Sequence, residues 1–146
     1  MSAVTLVFAI VAGIVGGTAT GNVILYGSPV GPPSVEALQA QKARQFARMI
    51  RNSWVMLPDS RSFLEAAHSS GMTLVLTIGT MDMKKNIDGG VFLRAMKNSV
   101  IDVLCGDAGE RDVLNRGGNR LYIYRDLKGA DIGEFRVDAW DCQSLT

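Results

Sequence analysis

His68 is the chain's single histidine, and Cys105 and Cys142 are its two cysteines, so imidazole and thiol chemistry are both scarce. A multi-histidine metal site within one subunit is excluded by that count. Any serine nucleophile would have only His68 as a base, and no GxSxG elbow occurs. The cysteines form neither a CxxC redox pair nor half of a zinc ligand set. They can instead bridge, since Cys105 follows one expected helix and Cys142 follows the last expected strand. A bridge would close a loop of about 38 residues and contribute about 4 kcal/mol in the chain-entropy account. Two free buried thiols are the alternative.

The carboxylates fall in two groups, Asp107, Glu110 and Asp112, then Asp138 and Asp141. Either could meet a cation, but neither has EF-hand spacing, and both read as solvated acidic loops. The glycine clusters NIDGG (86–90) and GGNR (117–120) lack the GxGxxG and GxxxxGK[ST] frameworks that cradle phosphates. The reading is therefore a protein that is not an enzyme, with no catalytic, cofactor-binding or metal-ligating residue. An unrecognised site on the 107–119 segment, using Asp107 and Glu110, is the enzymatic rival.

Three sets of residues point to binding. Ala9, Gly13, Gly17 and Gly21 recur at intervals of four, so a helix places all four on one ridge where a second membrane helix can approach closely. Arg44, Arg48 and Arg51 share another helix face, suited to anionic lipid heads or an acidic partner and otherwise simply solvated. Tyr122, Tyr124 and Trp140 are aromatic residues of the types enriched at protein interfaces, or else a second packed face.

The elements carrying these sets follow from charge and periodicity. No Asp, Glu, Lys or Arg occurs from Met1 through Val35. Within that stretch Ala3–Gly16 is almost wholly apolar and Val23–Tyr26 is apolar again, so 3–26 as a helix is long enough to cross a hydrocarbon layer of roughly 30 Å. The expected organisation is a transmembrane helix or uncleaved signal anchor over 1–26, a Pro- and Gly-rich linker over 27–34, and a compact α+β domain over 35–146. A secretory signal cleaved after Ala19 is the rival for the first segment. Lys42, Arg44, Arg48 and Arg51 favour a cytoplasmic domain by the positive-inside rule, whereas the leading apolar segment and the pairable cysteines favour export, which is the reading adopted.

In the domain, Ser34 caps a helix expected over 35–54, with Val35, Leu38, Phe46, Met49, Ile50 and Trp54 on its apolar face. Ser62–Ser70 reads as a short helix closing at Gly71. Met72–Met81 alternates as a strand, 91–104 returns to helical period, and 107–119 reads as a surface loop with at most a short helix. Arg120–Asp126 and Gly133–Trp140 alternate as a hairpin, with Leu121 and Ile123 on one face and the tyrosines on the other. The expected fold class is thus α+β, with two to three helices packed on an antiparallel sheet of about three strands behind the membrane helix.

This order of elements is similar, in architecture and without a diagnostic motif, to small periplasmic domains such as the TonB or TolA C-terminal domain, or the nuclear-transport-factor-like domain of conjugation inner-membrane proteins. The net charge of +1 gives no drive toward nucleic acid, and none is expected as a partner. The functional expectation is a membrane-anchored structural or assembly subunit of a cell-envelope complex, of the secretion, conjugation, pilus or phage-related kind. Its partners would be other protein subunits, in a homo- or hetero-oligomer, and the membrane. The alternative is a secreted periplasmic binding or chaperone-like protein released by signal cleavage.

Overall fold

The computed structural model describes residues 32–52 and 62–144. Helix α1 (Val35–Asn52) is followed by strands β1 (Ser62–Ser70) and β2 (Thr73–Thr80), a 3-10 turn (Lys84–Asn86), helices α2 (Gly89–Gly106) and α3 (Ala108–Asn115), strands β3 (Asn119–Arg125) and β4 (Asp131–Val137), and helix α4 (Ala139–Gln143). The segment 3–26, with Ala9, Gly13, Gly17 and Gly21, lies outside the described residues, as does Trp54. No helix among the described residues is long and apolar enough to cross a membrane.

The strands form one sheet in the order β1-β2-β3-β4. β1 pairs with β2 and β3 with β4 antiparallel, while β2 and β3 run parallel. The sheet therefore has four strands and is mixed, not the three-stranded antiparallel sheet expected. Parallel neighbours need a long crossover, and α2 and α3 supply it between Thr80 and Asn119.

The expected helix at Ser62–Ser70 is an edge strand. Glu65, Ala66 and Ala67 are helix formers, but pairing with β2 overrides them, and the chain absorbs the mismatch in a bulge between Leu64 and Ala66. Gly71, at φ +58°, makes the turn into β2 that a side chain would strain. β2 is buried from Leu74 to Thr80, as expected of a strand between two neighbours.

Residues paired across a ladder share a face, so Leu64, Leu74, Leu76, Ile78, Tyr122, Tyr124, Phe135 and Val137 all project to one side. There they meet Ala43 and Phe46 of α1 and Val100, Ile101 and Leu104 of α2 in a single core. All four helices lie on that side. Phe135 stacks on Tyr122 and Tyr124 at 5.1 and 5.8 Å between ring centroids, and Phe92 meets Tyr124 edge-on at 5.2 Å. Leu121 and Ile123, on the other face of β3 from the tyrosines as expected, are only half-buried.

Each helix starts on a side-chain cap that satisfies an otherwise unpaired backbone N–H. Ser34 Oγ accepts from Ala37 N at 3.1 Å, as the sequence leads one to expect. Asp88 caps α2 through Val91 N, Asp107 caps α3 through Glu110 N, and Asp138 and Asp141 form a capping box at α4.

Candidate functional site

The most concentrated chemistry among the described residues is internal. Lys42 of α1, Glu110 of α3 and Arg120 of β3 converge where the two helices cross the start of the parallel strands, and each is at most 2 % exposed. Lys42 Nζ donates to Glu110 Oε1 at 2.9 Å, and Arg120 Nη2 donates to Glu110 Oε2 at 2.6 Å. Arg120 Nη1 reaches the Tyr122 hydroxyl at 3.4 Å. Beside them Gln39 Nε2 donates to the carbonyls of Met72 and Asn119, both at 3.1 Å, which ties α1 to the β1–β2 turn and to the head of β3.

Charge and burial compete in this cluster. Burial works against the Glu110 carboxylate, but the Arg120 and Lys42 charges outweigh it and hold its pKa below the usual carboxylate value. Burial also dominates at Lys42, where the attraction of Glu110 is not enough to prevent a lowered pKa. Arg120 goes the other way: burial would lower its pKa, but Glu110 and the Tyr122 oxygen raise it. Burial pushes the Tyr122 phenol up, against Arg120. Two cations thus face one anion, and the Asp107 carboxylate at the head of α3 acts on Lys42 as a further negative charge. Glu110 is ionised, bound through both oxygens and buried, so it has no proton to give and is closed to a ligand from solvent. The arrangement is a three-element tie, and the sequence reading of Glu110 as part of a solvated acidic loop is corrected.

The signal for this tie was present. Lys42 falls inside the apolar stripe of α1, seven residues after Val35 and four before Phe46, where a lysine needs a buried partner. Asp107 followed three residues later by Glu110 is a helix-start pattern, and it marks α3 inside the segment expected to be a loop.

The other carboxylates of the two acidic groups are also committed to structure. Asp107, Asp138 and Asp141 cap helices, and Asp112 meets Arg116 at 3.5 Å. Asp126 accepts backbone N–H groups from Lys84, Lys128 and Ala130, which pins the β3–β4 turn to the 3-10 turn. His68 lies exposed on β1. Among the described residues no group of three or more His, Cys, Asp or Glu is placed to hold a metal ion.

Cys105 and Cys142 are bridged, with Cα atoms 5.4 Å apart. The bond joins the last turn of α2 to α4 and closes the helical layer over the sheet.

Of the aromatic contact candidates, the structure separates one from two. Tyr122 and Tyr124 are each 1 % exposed and belong to the core, because the helices cover their face of β3. They are not surface contact residues. Trp140, at the start of α4, is 72 % exposed. Arg44, Arg48 and Arg51 all lie exposed on α1.

On the sheet face away from the helices, Asn119 Oδ1 accepts from Thr73 Oγ1 and from Arg136 across three strands. With one layer of helices on one face of a four-stranded mixed sheet, the architecture can be compared with solved proteins. It is similar to a pilotin of the type 2 secretion system, EpsS from Vibrio vulnificus, at TM-score 0.59 and 16% identity, covering 75% of this chain and 92% of that one. A second pilotin, AspS from the type II secretion system of Vibrio cholerae, gives 0.55 and 15%, covering 74% and 92%. The chain has the fold of these type II secretion pilotins.

A Pseudomonas aeruginosa protein described as secreted shares the pilotin fold at TM-score 0.57 and 15% identity, covering 77% of this chain and 99% of that one. No protein-family model matches the sequence, and no curated protein matches it. The shared part is nearly the whole of each neighbour's chain and about three-quarters of this one.

Proposed function

We propose that this chain is a cell-envelope assembly subunit that works by binding another protein in secretion-type machinery, and that residues 3–26 hold it at a membrane. The observation that carries the proposal is the pilotin fold, matched over nine-tenths of two pilotins. Two features of the chain support it. The Cys105–Cys142 bridge suits an oxidising compartment outside the cytoplasm, and Asp107, Asp138 and Asp141 serve as helix caps, Asp126 as a turn pin and Glu110 as an ion-pair partner, a division of labour suited to a binding domain. Ala9, Gly13, Gly17 and Gly21 are proposed as the face that packs the membrane helix against another, and Trp140 as a contact with the partner protein.

The test is the intact mass of the native protein from fractionated cells, with thiols alkylated before and after reduction, followed by photocrosslinking from position 140. A full-length mass in the membrane fraction and one discrete crosslinked protein support the reading. Full-length protein without any crosslink from position 140 removes the proposed contact.

A second reading, a secreted protein freed by signal cleavage, is favoured by the fold shared with the Pseudomonas aeruginosa protein. A mass lacking the residues up to Ala19, found in the soluble fraction, selects it.

A further inference from the structure

The two sides of α1 are chemically distinct. Val35, Gln39, Lys42, Ala43 and Phe46 are buried, whereas Arg44, Arg48 and Arg51 are exposed about half a turn away around the helix. None of the three arginines forms an ion pair among the described residues. The only acidic residue of the helix is Glu36 in its first turn, and its only lysine, Lys42, is the buried one. Ala37, Ala40 and Ala47 flank the row on one side and the uncharged Gln41 on the other, so no acidic side chain of the helix neutralises it.

Like charges spaced three and four apart oppose helix formation. An exposed face usually relieves this with interleaved Glu or Asp, and this one does not. The choice of arginine adds a second point: guanidinium is planar, weakly hydrated and suited to two-point contact with phosphate oxygens, where lysine offers only a point charge.

From this face we infer that α1 lies against an anionic phospholipid surface, with Arg44, Arg48 and Arg51 on the headgroup phosphates. The inference rests on the proposed membrane segment for where the face sits. Residues 27–34 separate that segment from α1 and span at most about 28 Å when extended, close to the length of α1 itself, so the whole helix stays within reach of the bilayer. With a net charge of only +1, the chain has no general attraction to polyanions, and the local row with its tether selects the membrane. Each basic residue at such a surface strengthens binding roughly fivefold, so three give about a hundredfold.

The test uses the full chain with an environment-sensitive label at Ala37→Cys, an exposed position one heptad before Arg44, with the native disulfide intact. It is mixed with vesicles of phosphatidylcholine alone, or with phosphatidylglycerol added, each carrying a quencher at headgroup depth. The expected result is quenching that requires phosphatidylglycerol, is lost in high salt, and weakens about a hundredfold in apparent affinity in the Arg44→Gln, Arg48→Gln, Arg51→Gln variant. Quenching that is equal in the two vesicle types, or unchanged in the triple variant, overturns the inference. Flotation of the chain on neutral vesicles reads the membrane segment separately. A chain that floats only on anionic vesicles, and only with its arginines, loses the proposed membrane segment but keeps the arginine face.

Discussion

Lys42 on the first helix and Glu110 on the third meet at 2.9 Å in the interior, although 68 residues separate them in the chain. Because Arg120 holds the other oxygen of the same carboxylate, removing that carboxylate strands two buried cations at once. Glu110→Gln is expected to cost about 3–5 kcal/mol of unfolding free energy in chemical denaturation. Replacing all three charges together by Lys42→Met, Glu110→Leu and Arg120→Met should recover most of that loss, since a well-packed apolar substitute avoids the desolvation that the ions suffer. A triple variant as unstable as Glu110→Gln would mean that the cluster contributes more than a balanced set of charges.

The pH dependence follows from the same groups. The folded pKa of Glu110 lies below its ordinary 4.5, through Arg120 and Lys42, and that of Asp126 lies below its ordinary 3.8, through the backbone N–H groups of Lys84, Ala130 and Lys128. Both contribute stability that is complete above those ordinary values and is lost as pH falls through the depressed ones. Lys42 acts with the same sign at higher pH: its pKa is lowered from 10.5, chiefly by burial, so the cost of burying its charge is relieved and stability rises as pH climbs from its folded pKa toward 10.5. Thermal melts across the acid range should show Tm falling below about pH 4.5 in the wild type, and falling less steeply in Glu110→Gln.

The disulfide spans 37 positions of sequence and closes the helical layer onto α4. Cys105→Ala with Cys142→Ala is expected to lower stability by about 4 kcal/mol, mainly through a less constrained unfolded chain. Urea titrations with and without reductant check it: the wild type should shift with reductant and the double variant should not.

Gly118 sits where the end of α3 passes the start of α1. A methyl group there would stand 2.7 Å from Val113 Cγ1, 2.9 Å from the Val113 carbonyl oxygen and 3.0 Å from Val35 Cγ1. Backbone cannot yield as a flexible side chain can, so Gly118→Ala should destabilise by about 1–3 kcal/mol. Hydrogen exchange should show the loss concentrated at the start of α1, where Val35 is buried. Unchanged protection there would show that the helices shift apart without cost.

Local signals carried much of this fold. Ser34 before an apolar stripe marked the start of α1, and the alternation over Met72–Met81 and the helical period over Val91–Leu104 marked β2 and α2. The misses share one cause, which is that pairing partners decide what local preference leaves open. Glu65, Ala66 and Ala67 favour a helix until β2 offers them a ladder. The alternation of β3 separates Leu121 and Ile123 from Tyr122 and Tyr124, but only register against β4 says which pair is inside. Tyr122 sits opposite Phe135, whereas Leu121 and Ile123 face Arg136 and Glu134, so the tyrosines take the core side. The buried ion cluster was legible at one end, in the lysine within the apolar stripe of α1. Its partners lie on other elements, and no spacing rule links them. The basic row of α1 was legible in full because helical geometry alone fixes it.

The parallel pairing of β2 with β3 also sets a schedule for the growing chain. β1 and β2 can join as soon as both have left the ribosome, but β2 then offers an open edge until β3 is made. At about 5–20 residues per second, the crossover from Thr80 to Asn119 takes several seconds to synthesise. Throughout that interval the stretch from Met72 to Met81 carries no charged residue to discourage another strand from adding to it. The newborn protein is therefore most vulnerable to aggregation before its second half exists, and that is when a holding chaperone would matter most to it.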